Sequence, residues 1–209
     1  MNEKMFDKKR KIPMITIILI ILNIVGMVLE IIVYHTASPV FEIMKGAFFA
    51  PSFKYGEWWR IFTSAFFHLG WVSLVVDMIA LFIIGTRIEK IYTKVQYLII
   101  FLTGTAVGNL FQYIYEEIFR KGQNFASREL VGTSAAILGL AGAYLIVLLG
   151  EHNCDKQKDV ALCAGTVVIM LLVTHGTGTG ILALFGSLAG AILISVIMLK
   201  CGNKWNVKK

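Results

Sequence analysis

Along the chain, long apolar runs alternate with short polar breaks. Six runs come close to the roughly 20 mainly apolar residues that a helix needs to cross a bilayer. They are Met14–Tyr34, Leu69–Thr86, Val95–Tyr115, Val131–Leu149, Val160–Thr174 and Gly180–Leu199, and the fifth is the shortest. The first run exceeds the roughly 7–15 residues of a signal-peptide apolar region and lacks a small-residue cleavage site, so it is expected to stay in the mature protein. The pattern predicts an all-α integral membrane protein with six transmembrane helices. Residues 14–200 form its membrane domain, between a basic N-terminal segment, 1–13, and a short tail, 201–209.

Composition supports lipid as the solvent. Hydrophobic residues make up 57% of the 209 residues and charged residues 16%, against about 45–50% and about 25% in ordinary globular domains. A mean hydropathy of +0.73 means more apolar surface than an interior of this size can hide. A soluble domain, a disordered chain, a collagen-like repeat and a disulfide scaffold are all excluded.

The net charge of +7 could suggest nucleic acid, but its distribution gives a better account. Lys4, Lys8, Lys9, Arg10, Lys11, Arg87, Lys90, Lys94, Lys156, Lys158, Lys200, Lys204, Lys208 and Lys209 fall on one side of a six-span topology. Only Lys45, Lys54, Arg60, Arg120, Lys121 and Arg128 fall on the other. The basic excess marks the cytoplasmic side and places both termini there. Cys154 and Cys201 then lie in cytoplasmic segments and Cys163 in an apolar run, so all three are read as free thiols. The first outer connection, His35–His68, carries Phe41, Phe48, Phe49, Phe53, Tyr55, Trp58 and Trp59, and is expected in the headgroup interface. The connection Glu116–Gly132 is charged and expected in water.

Polar residues inside spans are candidates for function. Asp77 lies in the second run, where insertion costs about 2.5–3.5 kcal/mol, so it must face the bundle interior, pair or be protonated. A protonated carboxyl that glues helices together is an equally good account of it. Ser134, in Gly132-Thr133-Ser134-Ala135, stands where a polar loop meets the fourth run, a place where serine more often caps a helix than attacks a substrate. Gly139, Gly142, Gly186 and Gly190 have the spacing of close helix packing and suggest that spans four and six lie side by side. His35, His68, His152 and His175 have no metal-ligand spacing, and neither a metal nor another cofactor is expected.

Several segments together resemble the rhomboid family of intramembrane serine proteases. Glu57-Trp58-Trp59-Arg60-Ile61-Phe62-Thr63, leading into Phe66-Phe67-His68, is similar to the family's WR motif. Gly85-Thr86-Arg87-Ile88-Glu89 resembles the G-x-x-x-E that ends its second span. Val131–Tyr144 resembles the segment around its nucleophile, and Gly186-x-x-x-Gly190 the glycine pair of its sixth span. The resemblance implies a six-helix bundle with an interfacial first loop anchored by Trp58, Trp59 and Arg60. It also implies a Ser–His dyad with Ser134 at the nucleophile position.

The same comparison exposes three departures. The family's histidine lies three residues before the first glycine of the sixth-span pair, and here that position is Ala183. Its second span reads H-x-x-x-x-H-x-x-x-N from the position of His68, and here the second His is Ser73 and the Asn is Asp77. The G-x-S-G pattern ends in Ala135. A serine needs a base to take its proton, and in a serine protease of another fold losing that base costs roughly 10⁶ in rate. An ionised Asp77 about 4 Å from an oxyanion would oppose it by about 4 kcal/mol at an effective dielectric near 20, whereas a protonated one could still donate. His175 and His68 are expected too shallow to replace the missing base.

The leading expectation is therefore a pseudoprotease, similar to derlins and inactive rhomboids, that binds transmembrane segments of client proteins without cutting them. The alternative is an active intramembrane serine endopeptidase with an unusual base. A weaker third reading is a small channel or transporter using Asp77. The partners implied are the lipid bilayer and client helices, with no nucleic acid. The small size suggests a bacterial plasma membrane.

Overall fold

The structure, a computed structural model, describes residues 12–34, 48, 50–68, 70–119, 133–150, 156–177 and 181–200. Its regular elements are helical. In chain order they are α1 (Met14–Tyr34), α2 (Ala50–Lys54), α3 (Arg60–Thr63), α4 (Trp71–Ile91), α5 (Lys94–Phe119), α6 (Thr133–Gly150), α7 (Lys156–Thr177) and α8 (Ile181–Lys200). A 3-10 turn, Ser64–Phe66, continues α3. Each of the six apolar runs is a helix, but the ends differ from expectation. The second continues past Thr86 to Ile91, the third reaches Phe119, and the fifth spans 22 residues rather than Val160–Thr174. Charged residues end an apolar run without ending a helix, because backbone bonding tolerates them once the side chains reach a polar layer. His175, expected in a loop, has its backbone within α7. The segments 1–11 and 201–209, with His35, His152, Cys154, Cys201 and most of the charged connection after α5, lie outside the described residues.

Helices α4 and α5 are long and apolar enough to cross a membrane, and Met14–Leu29, Thr133–Leu149 and Ala183–Met198 form shorter apolar stretches. Helix α6 is the centre of the bundle. Every residue from Thr133 to Tyr144 is buried, as expected of a helix that is apolar all round. Helix α1 instead exposes Ile18, Ile21, Leu22, Val25 and Leu29, a face suited to lipid.

Small residues set the helix spacing. A Cβ on Gly104 of α5 would lie 3.0 Å from the Cα of Gly139 on α6, and one on Gly142 would lie 2.9 Å from Leu188 on α8. Helices α6 and α8 do touch, but the glycine pair of α8 has another partner. Gly186 and Gly190 receive Phe111 and Val107 of α5, with a built Cβ 2.6 Å from each side chain. Ser187, on the same face, donates to the Gly104 carbonyl.

The G-x-x-x-E segment has a physical role here. Glu89 accepts from the backbone N–H groups of Ile15 and Thr16 at 2.8 and 2.9 Å and from the Thr16 hydroxyl at 2.8 Å. It thereby caps α1 from the end of α4, satisfying donors that a helix start leaves open. Gly85 makes room for that approach, since a Cβ there would meet Tyr97 Oη at 2.5 Å and Thr16 at 3.0 Å.

The first outer connection divides into two parts. Tyr55, Trp58 and Trp59 are exposed, as expected of an interfacial segment. The stretch that follows enters the bundle: Arg60, Ser64, Ala65 and His68 are buried. Arg60 pairs with Glu57 at 2.8 Å, and Asn109 of α5 donates to Ile61 O and Ser64 Oγ, both at 2.7 Å. Irregular backbone persists at such depth only when protein groups satisfy it.

Candidate functional site

Four pieces of chain meet at one buried polar cluster. Helix α4 contributes Ser73 and Asp77, one turn apart on the same face. The start of α6 contributes Thr133 and Ser134, the segment after the 3-10 turn contributes His68, and α1 contributes Asn23. Asp77 is the hub and is 1% exposed. It accepts from Ser134 Oγ at 3.0 Å through Oδ1 and 3.3 Å through Oδ2. Its Oδ2 also accepts from Ser73 Oγ at 3.3 Å and lies 3.0 Å from His68 Nδ1. The other ring nitrogen, Nε2, is 2.9 Å from Asn23 Oδ1 and 3.2 Å from Thr133 Oγ1. Thr133 holds the start of α6 in place by donating its N–H to Phe67 O at 3.1 Å and its hydroxyl to Ala65 O at 2.9 Å.

Ser134, Ser73 and Asp77 therefore come together, and Asp77 faces the interior and is paired. One expectation is corrected. Ser134 does not cap its helix; its hydroxyl donates to a carboxylate on another helix. His68 is 2% exposed, held by the bundle between α1, α4 and α6. Asp77 thus has an ionisable partner, and that partner comes from a connection rather than from another span.

Ala183 lies in the first turn of α8 and is fully buried, its carbonyl so close to α5 that a Cβ on Gly108 would be 2.5 Å away. No imidazole nitrogen bonds to Ser134 Oγ among the described residues. The nearest such ring in the network, His68, stands one carboxylate further on. Ser134 thus has a hydrogen-bond acceptor beside it. Two members of the cluster, Asn23 and Thr133, escaped the sequence reading. Asn23 carried a signal, because it is a polar residue within the first apolar run, where such residues are functional candidates by default.

Val76, Ile79, Ala80 and Ile83 of α4 and Thr166 and Ile169 of α7 line an apolar cleft. Between the same two helices Arg87 Nε of α4 donates to Asp159 Oδ1 of α7 at 3.2 Å. Cys163 is a buried free thiol, donating to Ala141 O at 3.5 Å.

The chain shares sequence with known proteins. A family model described as the Rhomboid domain matches residues 55–201. The chain is 24% identical over 143 residues to the rhomboid relative YdcA of Bacillus subtilis, covering 68% of each chain. It is 26% identical over 123 residues to the rhomboid protease GluP of the same organism, covering 59% of this chain and 22% of that one. It is 29% identical over 120 residues to RHOMBOID-like protein 6, mitochondrial, of Arabidopsis thaliana, covering 57% and 36%. The chain thus spans about two thirds of the first relative and well under half of the other two. No solved structure matches it.

Proposed function

The chain belongs to the rhomboid family of multi-pass membrane proteins, and from the state of its site we propose that it is a degenerate member that binds transmembrane segments of client proteins without cleaving them. The observation that carries this reading is the 3.0 Å hydrogen bond from Ser134 to Asp77, with Ala183 where the family's base would stand. A carboxyl group that accepts from the nucleophile offers the oxyanion no donor, and losing one such donor costs roughly 10²–10³ in rate. The missing base multiplies the loss. On this reading a client helix approaches Ser73, Ser134 and Asp77 from the side of the apolar cleft between α4 and α7. Those groups can hydrogen-bond polar atoms that an unstable helix exposes to lipid. The six long helices are read as six spans with both termini in the cytoplasm, and the host membrane as a bacterial plasma membrane.

One observation favours a second reading. Ser134 points its proton at Asp77, so the carboxylate itself could withdraw that proton, making the protein a serine endopeptidase with Asp77 as base. The two readings separate on treatment of the purified protein with a serine-reactive fluorophosphonate, beside Ser134→Ala. The pseudoprotease reading expects no Ser134-dependent labelling and client peptides cross-linked near α4 and α7. Labelling that disappears in Ser134→Ala would establish the endopeptidase. A channel or transporter would instead show ion or proton flux in liposomes that is lost in Asp77→Asn.

A further inference from the structure

The hydrogen bonds of the polar cluster dictate how many protons it holds. Asn23 Nδ2 donates to Leu19 O at 2.7 Å, so the atom that Asn23 turns toward His68 Nε2, 2.9 Å away, is its carbonyl oxygen. A carbonyl oxygen only accepts, so Nε2 carries a hydrogen. The other ring nitrogen lies 3.0 Å from Asp77 Oδ2, a distance that needs one hydrogen between the two atoms. That hydrogen sits either on the ring or on the carboxyl. Both placements give the same sum: one proton shared by His68 and Asp77, and zero net charge.

We propose that this pair is a proton-operated latch on the Ser134 site. While it holds its one proton, Asp77 ties α4 to the start of α6 through Ser134, and His68 ties Asp77 to α1 through Asn23. Removing the proton to solvent leaves a lone pair on Nδ1 facing a buried carboxylate, and the pair becomes anionic. Adding a second proton leaves an imidazolium facing a carboxylic acid, and the pair becomes cationic. Loss of the proton breaks the bond between them, and either change puts an uncompensated charge in a dry interior, which hydration and the parting of α4 from α6 relieve. The groups facing the pair are Asn23 from α1, Ser73 from α4, and Thr133 and Ser134 from α6, all uncharged. Among the described residues no Lys, Arg or Glu pairs with either member, so the response belongs to the pair itself. The latch rests on the preceding reading only for its use, since the site it opens is the one a client would occupy.

The test is the melting temperature of the full-length protein in detergent as a function of pH, for the wild type and for Asp77→Asn. The wild type is expected to be most stable over a middle range and to fall by about 5 °C or more on both sides. In Asp77→Asn the amide can donate to Nδ1 of a neutral ring, which has no shared proton to lose. The alkaline fall should vanish while the acid fall remains. Parallel profiles in the two proteins would overturn the latch. Should Asp77→Asn fail to fold, ¹⁵N spectra of histidine-labelled wild type, assigned against His68→Gln, decide the matter. A hydrogen on Nε2 and a hydrogen-bonded Nδ1 through the middle range are expected, and an Nε2 without hydrogen there overturns the proposal. Failure to cross-link any client would sink the preceding reading and leave these profiles unchanged.

Discussion

At the Ser134 hydroxyl, α4 offers Asp77 as an acceptor, and on the proposed reading the base position on α8 is Ala183. Replacing both should reverse the situation. In Asp77→Asn/Ala183→His, Ser134 is expected to gain fluorophosphonate labelling that neither single variant shows, since a base and a donor are each insufficient alone. Labelling of Asp77→Asn by itself would show that a base other than position 183 is already in place. Truncation is a different matter. Asp77→Ala removes the acceptor for Ser73, Ser134 and His68 together and should destabilise by about 3–5 kcal/mol, as breaking a buried pair does. Asp77→Asn, which keeps a partner for the ring, should cost distinctly less, and thermal unfolding in detergent measures the difference.

Helix contacts in this bundle are made by positions that lack a side chain. Gly190→Ala would place a methyl group 2.6 Å from Val107 and force α8 away from α5, at a cost of about 1–3 kcal/mol. Gly165→Ala on α7 meets nothing within 4 Å and should be neutral or slightly stabilising, because alanine is the better helix former. Equal destabilisation by the two would show that the glycine spacing does not govern packing. Glu89 acts between elements as well. Glu89→Ala strips three hydrogen bonds from the start of α1 and should cost about 0.5–2 kcal/mol, read as earlier proteolysis or melting of the first helix.

For the whole molecule, the distribution of basic residues predicts an orientation. In a cysteine-free background, Lys204→Cys should react with an impermeant maleimide only after the membrane is opened, and Lys121→Cys should react in intact cells. The reverse pattern would invert the topology.

Much of this architecture is local information. Lipid requires contiguous apolar length, and that length is visible residue by residue, which is why all six long helices could be placed before any contact was known. The alanine at position 183 was legible too, because its distance from Gly186 and Gly190 is a spacing along one helix. Contacts between distant residues were not legible. Asn23 and His68 are 45 positions apart, and Ser134 is 57 from Asp77. Their meeting depends on how each helix is rotated about its axis and on how far the segment before α4 sinks into the bundle. The same rotation gave Gly186 and Gly190 to α5 rather than to α6. Apolar surface is equally content on any side of a helix in lipid. Close approach at the glycines, together with the need to satisfy each buried polar atom, selects one arrangement, and neither constraint exists until the helices pack.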